Sequence, residues 1–324
     1  MSDGALTVLD GTHLRAVDLS LPDSDVILTG GHVLDLADSK ASSSLFGLSL
    51  PQGLKSSALK RVNVQDDDVF RQAELDRHQA LKLAGDYIAA IADELKDDPL
   101  VISILDGNTI RLFLEDEDDF AMLAENLFTD LDAEDVGKIN KSAIRSALVH
   151  MGVEMGVPPA SEFPPLSDIL TKHEANGEEE LGQAQFAELL QPILQELAEA
   201  LAKKNVVLIQ NIKIVNGSKL RKLLADEKQL NNVVEKILQG KKDDLGSAEV
   251  IRSYLEKNGL ELGLPPSEGD EAVAILYDLV FAELKEDKSA LKEGEDKFEN
   301  LVKKILEKLA EQLEANPVFH DTEH

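Results

Sequence analysis

Side chains that carry oxygen ligands recur at regular spacing near the middle of the chain. In a loop numbered from Asp132, oxygens stand at positions 1, 3 and 9 (Asp132, Glu134 and Asn140), Gly137 is at position 6 and Ile139 is at position 8. A calcium loop between two helices uses oxygens at positions 1, 3, 5, 9 and 12, with glycine at position 6 for the sharp turn. The spacing therefore predicts a loop of the kind that holds a calcium ion.

The ligand set of this loop is incomplete. Val136 at position 5 and Ala143 at position 12 carry no side-chain oxygen, so the bidentate carboxylate of a strong site is missing. Apolar residues on both sides, with Phe128 before the loop and Ile144 after it, have the spacing of the two helices of an EF-hand. Two interpretations stay open: a weakened calcium site, or a helix–loop–helix frame retained for packing.

A second loop is expected downstream, because EF-hands pair through their position-8 residues. When Phe186 is placed one residue past the loop, side-chain oxygens fall at positions 1, 3, 5 and 12. These residues are Glu174, Asn176, Glu178 and Gln185. Glu179 stands where glycine is preferred, and the amide of Gln185 offers one neutral oxygen. We expect Leu181 to pair with Ile139, and any calcium binding to be weak, with a dissociation constant of ~10⁻⁴ to 10⁻³ M.

Composition limits the classes of function. The 324 residues carry a formal net charge of −29, which repels nucleic acid and anionic membranes and favours cationic partners. The chain has no cysteine, and its longest aliphatic run, residues 206–209, is far too short to cross a bilayer. Since no apolar leader follows Met1, we expect a cytoplasmic or nuclear protein with neither nucleic acid nor a membrane as partner.

Catalytic motifs are missing from the sequence. The seven histidines are scattered, without the His-Glu-x-x-His spacing of a zinc site, and no Gly-x-Ser-x-Gly nucleophile elbow occurs. Carboxylate pairs such as Glu115 with Asp119 are typical of solvated helix faces in a chain this acidic. We therefore expect a protein that is not an enzyme, and keep a hydrolase or transferase only as a formal alternative.

A segment of about 110 residues occurs twice. The matching pieces are 101–111 with 211–221, 144–159 with 251–266, and 186–201 with 298–313. Their offsets are 110, 107 and 112 residues, and the second piece contains Gly-Val-Pro-Pro in one copy and Gly-Leu-Pro-Pro in the other. A seven-residue echo of the first piece at 9–15 is either a third copy or a coincidence.

These patterns predict a mainly α-helical protein of two tandem EF-hand-like units with short strands and an irregular N-terminal segment. The predicted boundaries are 1–65 for an irregular or extended segment, 66–98 for an amphipathic helix, 99–205 and 206–318 for the two units, and 319–324 for a tail. The second unit has almost lost its loops, at 239–246 and 286–295. We expect no metal in that second unit.

Three motifs resemble a known family. They are residues 106–120, which begin Asp-Gly-Asn-Thr-Ile-Arg and continue into an acidic stretch, residues 6–22, and the paired Gly-Val-Pro-Pro and Gly-Leu-Pro-Pro segments. On these motifs the chain is similar to the plant EF-hand calcium-binding family, in particular to the calcium sensors that interact with sucrose-non-fermenting-related protein kinases. The resemblance implies a non-enzymatic regulator that binds these stress- and abscisic-acid-responsive kinases and lowers their activity, with calcium influencing the interaction. Ala143 departs from the family's pattern, in which the best loop carries glutamate.

The alternative function is a structural adaptor that kept the EF-hand frame and lost its response to calcium. For either function, two apolar helix faces are candidate contact surfaces. They are the stripe Phe120, Leu123, Leu127 and Leu131, and the helix at 298–313. The competing interpretation of each face is hydrophobic core.

Overall fold

The structure is a computed structural model that describes residues 6–20, 28–65, 68–240, 246–266, 271–282 and 295–321. Over these residues the protein is mainly helical, with small antiparallel sheets, and the predicted helical class is confirmed. The predicted loops at 239–246 and 286–295 lie almost entirely outside the described residues.

Short strands are interspersed among the helices of the described chain. The helices are α1 (Gly30–Ser44), α2 (Gln52–Arg61), α3 (Asp68–Gln72), α4 (Arg77–Asp97), α5 (Asn108–Glu115), α6 (Glu117–Leu131), α7 (Ala143–Met151), α8 (Pro165–Lys172), α9 (Gln183–Lys203), α10 (Ser218–Ala225), α11 (Glu227–Gln239), α12 (Ser247–Leu262), α13 (Glu271–Ala282) and α14 (Glu295–Ala315). The strands are β1 (Thr7–Leu9), β2 (Leu28–Thr29), β3 (Glu74–Leu75), β4 (Leu100–Leu105), β5 (Ile139–Asn140), β6 (Glu180–Leu181), β7 (Val206–Ile209), β8 (Ile212–Val215) and β9 (Val318–Asp321). Short 3₁₀ helices cover Thr12–Ala16 and Val153–Met155.

The chain divides into two compact units. Of the described residues, the central unit contains 6–8, 46–48 and 101–210. The flanking unit contains 9–20, 28–45, 49–65, 68–100, 211–240, 246–266, 271–282 and 295–321. The single helix predicted at 66–98 is wrong in its first part, where α3 and β3 precede α4. Helix α4 shares a unit with the C-terminal third of the chain, although the sequence separates them by about a hundred residues.

The core of the central unit is built from α5 to α9. The Asp116 carboxylate caps α6 by accepting from the N–H groups of Asp118 and Asp119, at 2.9 and 3.1 Å. The rings of Phe128 and Phe186 meet edge to face, with centroids 5.8 Å apart. Burial of the apolar side chains of this core removes apolar surface from water and is the main force that holds these helices together.

A 21-residue helix occurs three times, as α4, α9 and α14. Each packs against the turn that follows a short strand, where a glycine with φ between 76° and 84° approaches the backbone of an alanine. The three glycine–alanine pairs are Gly11 with Ala92, Gly107 with Ala198, and Gly217 with Ala310. In every case the alanine lies fifteen residues after the first residue of its helix.

The surroundings of these glycines also repeat. The side chain before each glycine accepts from the N–H group two residues further on, in Asp10, Asp106 and Asn216, at 2.9, 3.0 and 3.1 Å. The strand before each glycine neighbours the strand that follows the long helix, giving β1 with β4, β4 with β7, and β8 with β9. The echo at 9–15 is therefore structural: the described residues contain this element three times, not twice.

The predicted irregular segment is wrong between residues 30 and 61, where α1 and α2 form. Thr29 caps α1 by accepting from the N–H of His32 at 3.3 Å. Val33, Ala37 and Ala41 are fully buried and recur at helical spacing. In the sequence this periodicity is hard to recognise, because glycines stand at its start and serines at its end. The predicted tail is also wrong in part, since its residues 319–321 belong to β9.

Candidate functional site

The two predicted loops lie side by side in the central unit. Strands β5 and β6 pair antiparallel, with Ile139 opposite Leu181 and Asn140 opposite Glu180. Ile139 and Leu181 are 7 % and 6 % exposed, so the ladder is anchored in the core. The predicted pairing of Ile139 with Leu181 is confirmed. Each loop joins two helices, the first α6 to α7 and the second α8 to α9.

The first loop is closed by its own position-1 residue. The two carboxylate oxygens of Asp132 accept from the N–H groups of Val136 and Gly137, at 3.0 and 2.7 Å. Asp135 and Gly137 have left-handed backbones, with φ of 53° and 74°, which turn the chain sharply enough for these bonds. Glu134 and Asn140, the other predicted ligands, are exposed.

In the second loop, Gln185 at position 12 caps a helix. Its side-chain oxygen accepts from the N–H of Gly182 at 3.0 Å, at the start of α9. Gln79 makes the same bond to the N–H of Asp76 at the start of α4, at 3.1 Å. The amide oxygen that the sequence offers as a metal ligand is therefore engaged with the backbone. The remaining predicted ligands of this loop, Glu174, Asn176 and Glu178, are exposed.

The acidic side chains of the loops face lysines of the first loop. Lys138 Nζ lies 3.1 Å from a carboxylate oxygen of Glu180. Lys141 Nζ lies 3.9 Å from Glu174 and 4.0 Å from Glu179. Within the described part of the chain, no three histidine or acidic side chains converge as metal ligands would.

An ion-pair cluster between α8 and α9 was not predicted from the sequence. It lines an open cleft of about 750 Å³, where Glu196 accepts from Lys172 at 2.8 and 2.9 Å and contacts Nε2 of His173 at 2.9 Å. The bonds from Lys172 and then from His173 lower the pKa of Glu196. Such a carboxylate stays ionised near neutral pH, which suits an ion pair better than a general acid. No local spacing signals this contact, since 23 residues separate His173 from Glu196.

A second polar cluster, in the flanking unit, surrounds Asp97 at the end of α4. Its carboxylate, 12 % exposed, accepts from Arg61 at 2.9 Å, from the Ser218 hydroxyl at 3.1 Å, and from Lys222. Burial acts to raise the pKa of Asp97, but the bonds from Lys222 and Arg61 outweigh it and hold the pKa below its usual value. This cluster ties α2 and α10 to α4.

The two predicted contact faces are largely core. Phe120, Leu123 and Leu127 are at most 9 % exposed, and the apolar side chains at 298–313 are at most 3 % exposed. An apolar pocket of about 220 Å³ instead opens beside the Gly-Val-Pro-Pro segment, lined mainly by Leu148, Val149, Val153, Val157, Pro158 and Leu166. Val149 is 77 % exposed at this pocket.

Comparisons with known proteins add no identification. None of the helices in the described residues is long and apolar enough to span a membrane. Neither a protein-family model nor a curated protein nor a solved structure matches the chain significantly.

Proposed function

We propose that this chain is a non-enzymatic regulatory protein with an EF-hand-like frame. Its partner in this proposal is a protein kinase of the sucrose-non-fermenting-related class, whose activity it lowers, with weak calcium dependence. The observation that carries the proposal is the pair of helix–loop–helix segments coupled through Ile139 and Leu181. The resemblance of residues 106–120 and of the Gly-Val-Pro-Pro segments to sensors of this class supports the choice of partner.

The apolar pocket beside residues 156–159 is the contact surface in this proposal. Exposed Glu154 directly follows the lining residue Val153, and exposed Glu162 lies two residues after the lining residue Ala160. Arg145 is the one charged residue of the described lining, and the whole chain is strongly acidic. The matching partner segment carries one large apolar side chain for the pocket and basic residues beside it. Apolar anchors supply affinity in such contacts, and complementary charge speeds association.

A kinase assay with purified components tests the proposal. We expect the rate of substrate phosphorylation to fall as the protein is added and the kinase to be retained on the immobilised protein. Val149→Glu should weaken both effects, whereas Met122→Glu, at a residue 61 % exposed on α6, should not. An unchanged phosphorylation rate at saturating protein would reject the proposal.

A metal-independent adaptor is the second candidate, and one observation favours it. The oxygens of Asp132 and Gln185 that a metal would use are bonded to backbone N–H groups of their own loops. Comparing retention of the kinase in calcium and in a chelator separates the two functions. Equal retention in both buffers supports the adaptor, and retention that changes with calcium supports the sensor.

A further inference from the structure

Lys141 is the residue of the first loop that the second loop encloses. Its N–H donates to the carbonyl of Glu179 at 2.7 Å, and the N–H of Ser142 donates to the carbonyl of Gly177 at 3.0 Å. The Lys141 side chain is 16 % exposed, whereas that of Lys138, three residues earlier, is 61 % exposed. The backbone of the second loop therefore bonds to this lysine, whose side chain is largely buried.

The enclosed ammonium lies near two carboxylates that come from different points of the second loop. Lys141 Nζ is 3.9 Å from Glu174, at position 1, and 4.0 Å from Glu179, at position 6. Its methylene stem passes beside Gly177, where a Cβ would be only 3.7 Å from Cδ. A calcium ion in such a loop would have to neutralise these same carboxylates.

Electrostatics explain why the lysine is enclosed. Residues 174–180 contain four glutamates, which repel one another when they are held in one tight loop. A lysine stem is buried at a cost in side-chain entropy and desolvation unless its ammonium finds negative partners. The pair between Lys138 and Glu180 differs in its lysine, which is 61 % exposed where Lys141 is 16 % exposed. The carboxylates of both sets are largely exposed, at 62 % for Glu180, 88 % for Glu174 and 73 % for Glu179.

The flanking unit offers an internal comparison. There β2 pairs with β3, with Leu28 opposite Leu75, and the N–H of Gly30 donates to the carbonyl of Ala73 at 3.0 Å. This bond matches the one from Lys141 to Glu179. At the matching positions the flanking unit has a glycine in place of the lysine and an alanine in place of the glutamate. The flanking unit therefore lacks both the positive charge at the position of Lys141 and the carboxylate at the position of Glu179.

We propose that the ammonium of Lys141 is the resident cation of the second loop. It neutralises the loop's glutamates as a bound metal would, holds the loop in place without calcium, and suppresses calcium binding there. The inference rests on the EF-hand-like frame of the proposed function, but it does not depend on the kinase partner.

Calcium titration of the full chain, by calorimetry and by thermal unfolding, tests this assignment. Lys141→Met keeps the stem and removes the charge, and Lys141→Gln is a second neutral variant. We expect either variant to bind calcium at least about tenfold more tightly than the parent chain, because a competing positive charge is gone. Without calcium their melting temperature at low ionic strength should fall, and millimolar calcium should restore it.

Two further variants make the test specific. Lys141→Arg keeps the positive charge, and Lys138→Met removes the neighbouring exposed charge; both should titrate like the parent chain. The proposal is overturned if neutral variants at 141 gain no affinity for calcium, or if Lys138→Met gains as much as they do. Because the titration uses no kinase, failure of the kinase assay would leave this result unaffected.

Discussion

Replacing Gly107 by alanine should destabilise the central unit far more than replacing Gly137 by alanine. Both glycines have a left-handed backbone, with φ of 84° and 74°. Each alanine therefore meets a similar intrinsic strain of about 1–2 kcal/mol. Each substitution also restricts the unfolded chain by a similar amount, about 0.4–1 kcal/mol. Both effects cancel when the two variants are compared. The difference between their free energies of unfolding therefore depends on the atoms around the new methyl group.

Those surroundings are very different. At Gly107 a Cβ would lie 2.4 Å from the carbonyl oxygen and 2.9 Å from Cα of Ala198, which are backbone atoms of α9 and cannot rotate away. At Gly137 nothing lies within 4 Å of the added atom. Overpacking costs about 1–3 kcal/mol. We therefore expect Gly107→Ala to lower the free energy of unfolding by roughly 2–4 kcal/mol, and Gly137→Ala by about 1 kcal/mol.

Urea unfolding followed by circular dichroism measures the loss, and an unchanged m value shows that the transition exposes the same surface. Hydrogen exchange over residues 183–203 places the effect, since α9 is the helix that must shift and its amides should exchange faster in Gly107→Ala. Equal destabilisation by the two substitutions would refute the claim that close approach, and not backbone conformation alone, requires glycine at position 107.

Three further predictions concern stability. Asp97→Asn should lower the free energy of unfolding by about 1–2 kcal/mol above pH 4. Folding lowers the pKa of Asp97, so the ionised carboxylate stabilises the native state at pH values above the pKa of the unfolded chain. This stabilisation is lost as the pH falls through the folded pKa. Asp93→Asn on the same helix, 48 % exposed, is its control and should cost less than about 1 kcal/mol. Tyr277→Phe should be neutral or stabilising by about 1 kcal/mol, because the hydroxyl is buried with no hydrogen-bond partner in the described structure. Phe186→Ala should cost about 3–5 kcal/mol in urea unfolding, whereas Met122→Ala, at an exposed site, should cost almost nothing.

Each of these has a contrary outcome. Equal losses from Asp97→Asn and its control, or a loss that persists below pH 2, would show that the Asp97 cluster contributes no specific charge interaction. A clear loss from Tyr277→Phe would reveal that the hydroxyl is satisfied. A small loss from Phe186→Ala would contradict its place at the centre of the core.

The sequence predicts best what periodicity and register determine. The apolar residues of α4 and α9 recur at three and four positions, and both helices form. The position-8 rule correctly pairs Ile139 with Leu181, because residues that enter a shared core are fixed in register by their neighbours.

The failures have physical causes too. Residues 30–44 contain glycines and serines that suggest a break, yet burial of Val33 and Ala37 stabilises α1 despite these weak helix formers. The contacts of Lys141 and Glu196 join residues on different elements, so no local pattern contains them. The third copy of the glycine–helix element was visible only as seven residues, because its later helices share few residue types with the other copies.

Comparison of the two units distinguishes the contacts that hold the helices and loops together from the loop side chains that vary. In the central and flanking units alike, a two-residue ladder is followed by a matching backbone hydrogen bond, from Lys141 to Glu179 in one and from Gly30 to Ala73 in the other. The side chains at these matching positions differ between the two units. Each ladder joins main-chain groups and contains one pair of apolar side chains, Ile139 with Leu181 and Leu28 with Leu75. This frame forms although Val136 and Ala143, at positions 5 and 12 of the first loop, carry no side-chain oxygen. It follows that charge in the loops can be exchanged without unfolding the protein, and that neutral variants at Lys141 should change ion binding while α7 and α9 stay in place.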